Sequence, residues 1–84
     1  MTNLEDEFNY AIERVELLDR PPNNVLLDLY GLYKQATVGD ADGNRPGMTN
    51  PRGRAKYDAW TGRKGMSQSD AKQAYIELVD KLDN

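Results

Sequence analysis

The chain has 84 residues, 38% of them hydrophobic and 30% charged, with a net charge of −3. A chain this short forms one domain and buries only about 60% of the surface it exposes when unfolded. A large ligand is therefore expected in an open groove or between helices, not in a closed cavity. Cysteine and histidine are both absent. That excludes disulfides, thiolate metal sites, a Cys nucleophile, the usual general base and the commonest metal ligand, and favours a binding protein over an enzyme.

The first segment reads as an amphipathic helix over roughly 4–18. Leu4, Phe8, Ala11, Ile12, Val15 and Leu18 recur at helical spacing, and Glu5, Asp6 and Glu7 crowd the first turn, where the helix dipole favours acids. Pro21-Pro22 stops it. Asn23 or Asn24 is expected to cap a second helix, roughly 24–38, in which Val25, Leu26, Leu29, Leu32, Tyr33 and Ala36 spread apolar surface over more than one side. Residues 39–50 are dense in Gly, Pro, Asn and Asp and read as a long loop, of a length often put to functional use. Asn50-Pro51 is an N-cap followed by proline at the first helical position, and opens a third helix of thin apolar content, roughly 51–63. Gly65 ends that region. Ser67-x-x-Asp70 resembles a capping box for a fourth helix, roughly 67–82, whose Ala71, Ala74, Tyr75, Leu78, Val79 and Leu82 keep the helical period closely. No segment alternates with period two. The expected fold class is all-α: a four-helix bundle with a long loop between helices two and three, in a single domain over 1–84.

Charge is distributed unevenly. Residues 1–33 hold seven acids against two bases, residues 34–66 seven bases against three acids, and residues 67–84 four acids against two bases. The acidic total argues against nucleic acid as a partner, because such binders need a broad basic footprint. A local cationic site for a compact anionic ligand fits better. No run approaches the roughly 18 apolar residues of a membrane span, so stable membrane insertion is not expected. The N-terminal residues lack a signal-peptide pattern, and the expected compartment is the cytoplasm.

Two constellations could carry chemistry. Tyr30, Tyr33, Lys34 and Thr37 are related by three or four residues on the second helix and share a face. A phenol ring offers a stacking surface to a base, and an ammonium offers a charge-assisted bond to phosphate. The competing reading makes the tyrosines core residues with hydroxyls at the rim. Gly31 leans towards function, since a glycine inside a helix costs about 1 kcal/mol. In the third helix Arg52 and Lys56 lie four apart on one side, with Arg54 on another; the competing reading is a solvated basic face. Trp60, the only tryptophan, and Tyr75, within the apolar stripe of the last helix, read as core from pattern alone.

The run Tyr30-Gly31-Leu32-Tyr33-Lys34-Gln35-Ala36-Thr37-Val38-Gly39-Asp40 closely resembles the acyl-CoA-binding protein family. So do Arg45-Pro46-Gly47-Met48, Gly53-Arg54-Ala55-Lys56-Tyr57-Asp58-Ala59-Trp60 and Asp70-Ala71-x-x-Ala74-Tyr75-Ile76, in the family's order and spacing. The resemblance implies a non-enzymatic, monomeric intracellular carrier and pool buffer for medium- to long-chain fatty acyl-CoA, which is a ligand and not a cofactor. It implies that Tyr30 and Lys34 contact the 3′-phosphate, that Tyr33 packs against adenine, that Lys56 is a second phosphate cation, and that Tyr75 lines the acyl groove. Arg52 stands where the family commonly has lysine, and joins the set with a different donor geometry. Pro51 stands in place of a common Phe, Tyr57 in place of a frequent Trp, and Glu16 near a position that is often basic. The rival readings are a helical interaction bundle docking an acidic partner through the basic third helix, and an enzyme working through Asp58 or Asp70.

Overall fold

The computed structural model describes residues 3–84. Four helices follow in order: α1 Leu4–Leu17, α2 Asn23–Thr37, α3 Pro51–Thr61 and α4 Gln68–Leu82, with no strand among the described residues. Three helix starts are set by side chains. Asn3 accepts from the Asp6 amide, Asn50 from the Gly53 amide with Pro51 next in line, and Ser67 from the Asp70 amide. The start of α2 differs from expectation: Pro22 holds the cap position without a side-chain bond, and Asn23 is already helical. The extended φ and ψ of −57° and 157° at Pro22 turn the chain without help from either asparagine. Instead, the Asn23 side-chain oxygen accepts a bond from the Arg20 guanidinium. α3 also stops two residues earlier than its sequence suggests, because Gly62 to Gly65 form successive tight turns ending in the left-handed Gly65, φ +92°.

The helices pack as a row rather than a square. α1 lies on α4, α4 on α2, and α2 on α3; no other helix pair packs backbone to backbone. The Cα framework is accordingly thin, 44 × 28 × 15 Å, little deeper than the 10–12 Å diameter of one helix. The buried apolar core is Phe8 and Ala11 from α1, Leu29, Leu32 and Ala36 from α2, and Ala71, Tyr75 and Val79 from α4. α3 buries no residue fully.

Polar tethers hold α3 instead, and they explain the long loop. Between Gly39 and Pro46 the loop is fastened to α3 four times. Trp60 Nε1 donates to the Gly39 carbonyl at 2.7 Å, and the Tyr57 hydroxyl donates to the Gly43 carbonyl at 3.0 Å. Arg45 grips Asp58 with two bonds of 2.8 and 2.6 Å, and Arg54 reaches the Pro46 carbonyl at 3.2 Å. A further knot ties the loop to the α3–α4 turn. Buried Gln35 donates to Asp40 and to the Met66 carbonyl, both at 2.8 Å, while the same Asp40 oxygen accepts from the Gly65 amide. These bonds, the Gly65 amide first and Gln35 second, hold the Asp40 carboxyl below its ordinary value.

Candidate functional site

Two open grooves flank α2. The larger, about 500 Å³, lies between the N-terminal half of α2 and α3. Its floor is apolar: Leu26, Leu27, Ala55 and Pro51, with the Tyr30 ring alongside. Arg20, Arg52 and Lys56 stand in its wall, Asn23 completes the lining, and no carboxylate takes part. None of these three cations has an ion-pair partner among the described residues, whereas Arg14, Arg45, Arg63 and Lys72 all do. Unneutralised charge gathered over an apolar floor is costly without an anion to answer it.

The site is framed by a close helix crossing. A Cβ on Gly31 would overlap the Ala59 carbonyl oxygen, so glycine is what lets α3 lie against α2. That contact accounts for the glycine inside the helix. On either side of it the helices exchange an aromatic ring and a cation. Lys56 Nζ lies 5.4 Å from the Tyr30 ring centroid, and Lys34 Nζ lies 4.7 Å from the Trp60 ring centroid.

The six residues expected at a binding site are therefore not gathered in one place. Tyr30, Arg52 and Lys56 line the larger groove. Lys34 is one turn further along α2, against Trp60. Tyr33, 40% exposed, lines a smaller groove of about 280 Å³ where α1, α2 and the start of α4 meet, with Phe8, Ile12, Ala36 and Lys72. Its ring stacks on Phe8 at 6.3 Å. Tyr75 is 5% exposed and meets Phe8 edge-on at 5.2 Å. Burial raises the pKa of its hydroxyl above the ordinary 10.0, and the neighbouring Tyr33 and Glu16 push it the same way. Tyr75 borders neither groove, as its place in the apolar stripe suggests.

Sequence reading missed Arg20, Leu26 and Leu27 as groove residues and took Trp60 for core. Arg20 did leave a signal: it is one of two bases in an acidic third of the chain, immediately before the prolines that turn it towards α2. Trp60 is only half-buried, and its ring is shared between the loop and Lys34.

Residues 5–79 match the family model described as acyl-CoA-binding protein. The chain belongs to the acyl-CoA-binding protein family. A family protein of Saccharomyces cerevisiae is 54% identical over 67 residues, spanning 80% of this chain and 77% of the yeast one. A homolog from Manduca sexta is 46% identical over 82 residues, 95% of this chain and 91% of its own. Among solved structures, the crystal structure of Oryza sativa acyl-CoA-binding protein 2 superposes with a TM-score of 0.91 at 43% identity, covering 95% of this chain and 90% of the rice one. The family's all-α fold and this chain's are the same.

Proposed function

We propose that the protein binds fatty acyl-CoA without covalent chemistry and acts as its carrier, with the larger groove as the principal site. The observation that carries this is the groove's composition: an apolar floor of Leu26, Leu27 and Ala55 beneath three cations that lack acidic partners among the described residues. An acyl-CoA presents the matching halves, an apolar tail and a phosphorylated nucleotide. Tyr30 and Lys56 meet phosphate there, with Arg52 and Arg20 adding charge. Lys34, one turn on, extends the cationic strip along α2. Tyr33 lies on the next strip of the same helix, where an adenine laid across α2 meets its exposed ring. Tyr75 supports that ring through Phe8.

The basic face of α3 is not laid out to dock an acidic protein. Arg52 and Lys56 turn into the groove, while Arg54 is drawn to the Pro46 carbonyl on another side. No helix is long and apolar enough among the described residues to cross a membrane. We take the working form to be a monomer in the cytoplasm that carries and buffers acyl-CoA. Calorimetric titration with acyl-CoA esters of increasing length tests the reading. Affinity should rise by up to about 1.6 kcal/mol per two carbons and level off once the floor is covered. Equal binding of octanoyl and palmitoyl esters would remove the groove from its role.

A further inference from the structure

The two ring–cation pairs between α2 and α3 are of opposite composition. At the first level the ring is on α2 and the cation on α3, Tyr30 with Lys56; one turn on, the cation is on α2 and the ring on α3, Lys34 with Trp60. The Gly31–Ala59 backbone contact lies between them and fixes the helix separation at both. The closer pair sits on the ring that is anchored. Trp60 Nε1 is bonded to the Gly39 carbonyl at 2.7 Å. The Gly39 amide in turn donates to the Lys34 carbonyl at 3.2 Å, with Gly39 in the left-handed region at φ +103°. The loop therefore connects the backbone of Lys34 to the ring that receives its side chain. The knot of Gln35, Asp40 and Gly65 secures the next loop residue.

An aromatic face draws an ammonium without occupying its donors with a carboxylate. Lys34 has no ion-pair partner among the described residues, so its N–H groups remain available to an anion. A free lysine side chain must surrender rotamer freedom when it grips a ligand, and one already held on a ring surrenders less.

We propose that Trp60 is a positioning residue: anchored by Gly39, its ring holds the Lys34 ammonium in the ligand-free protein where an acyl-CoA phosphate meets it. This rests on the function proposed above for the same site and adds a residue to it. The indole touches the lysine, and the lysine touches the ligand.

The test combines Trp60→Leu and Trp60→Phe, each made with Lys34 intact and with Lys34→Ala. In the ligand-free protein, NMR should find the Lys34 ε-methylene protons shifted upfield by the ring current in wild type, partly so in Trp60→Phe and not in Trp60→Leu. In calorimetry Trp60→Leu should weaken palmitoyl-CoA binding about 3- to 10-fold with Lys34 present, and less than about 2-fold in the Lys34→Ala background. Should Trp60→Leu fail to fold, Trp60→Phe in the same two backgrounds reads the coupling with a smaller loss. A merely structural tryptophan would weaken binding equally in both backgrounds, and that result overturns the positioning role alone, as does an unshifted Lys34 in the wild type. A wild type that binds no palmitoyl-CoA overturns the functional reading and the positioning role with it.

Discussion

The two sides of the molecule are built by different physics. On the α1–α4 side, Phe8, Ala11, Ala71, Tyr75 and Val79 interlock as buried apolar groups, and ion pairs only trim the edge, as between Arg14 and Asp80 or Asp83. On the α3 side there is a helix with no buried residue, leaning on α2 at a glycine and fastened by a loop through hydrogen bonds. Folding strength is concentrated on the first side and unneutralised positive charge on the second. α2 belongs to both, turning Leu29, Leu32 and Ala36 to the core and Leu26, Leu27 and Tyr30 to the groove. A small domain can in this way keep its larger groove out of its core.

The hardest test of that division is in the core. Leu32 is buried on α2 and lines neither groove. Leu32→Ala should cost about 2–5 kcal/mol of stability in denaturant melts, the range for deleting a buried leucine. Palmitoyl-CoA affinity of the folded variant should stay within about twofold of wild type. A matching collapse of affinity would show that the groove draws its shape from the core.

Substitution on the other side should do the reverse. Lys56 faces the groove without an ion-pair partner among the described residues. Lys56→Ala should weaken palmitoyl-CoA binding roughly 10- to 100-fold, as expected for a charge-assisted bond of about 1.5–3 kcal/mol, with the thermal midpoint nearly unchanged. Against the dephospho-CoA ester, which lacks the 3′-phosphate, the same substitution should cost much less. An equal loss with both esters would mean that Lys56 reads a different part of the ligand.

How much of this was written in the sequence depends on the range of the interaction. The helices follow from apolar period and from caps three residues long, such as Asn50 with Gly53 and Ser67 with Asp70. Short-range pattern also set Tyr75 in the core stripe. The start of α2 was misread because asparagine is a good cap wherever it occurs, whereas here the extended Pro22 makes the turn. The loop's work was illegible, since its partners Tyr57, Asp58 and Trp60 lie 13 to 21 positions away. The exchange of rings and cations between α2 and α3 was hidden for the same reason: spacing places Lys34 one turn from Tyr30 but says nothing of Trp60. Resemblance named Lys56, yet only the fold brings Arg20 to the same groove.

Arg20 sharpens the comparison, because it comes from the acidic end of the chain yet serves the cationic side. Among the described residues its guanidinium donates to the neutral Asn23 side chain, at 3.3 Å, and has no acidic partner. Arg20→Ala should weaken palmitoyl-CoA binding by a smaller factor than Lys56→Ala, roughly 3-fold at low ionic strength, since an exposed charge contributes about 0.2–1 kcal/mol. That deficit should fade in salt as screening sets in. A salt-independent loss would instead indicate a direct, desolvated contact.

The smallest expected effect concerns acid, and it follows from where the perturbed carboxylates lie. Asp40 and Asp58 both belong to the α3 side, one in the loop knot and one under Arg45. Each has its pKa lowered from the ordinary 3.8, Asp40 mainly by the Gly65 amide and Asp58 mainly by the Arg45 guanidinium. A carboxyl with a lower pKa folded than unfolded contributes stability above its unfolded pKa and loses it as pH falls through the folded one. The contribution is therefore complete at neutral pH, begins to fade near the ordinary aspartate value and is lost below it. Both groups are exposed to solvent, so the effect should be modest in size but local in place. Trp60, the only tryptophan, is bonded to Gly39 beside Asp40 and reports on that region by fluorescence. Helical circular dichroism reports mainly on the whole bundle. In an acid titration the Trp60 signal should change at a higher pH than the dichroism does, because the loop clamp loosens while the apolar core still holds. Asp40→Asn should remove part of the acid dependence of the fluorescence and leave the dichroism midpoint nearly unmoved. Coincident transitions in the wild type would mean that α3 and the core melt as one unit, and that the two sides, however differently built, are not separable in stability.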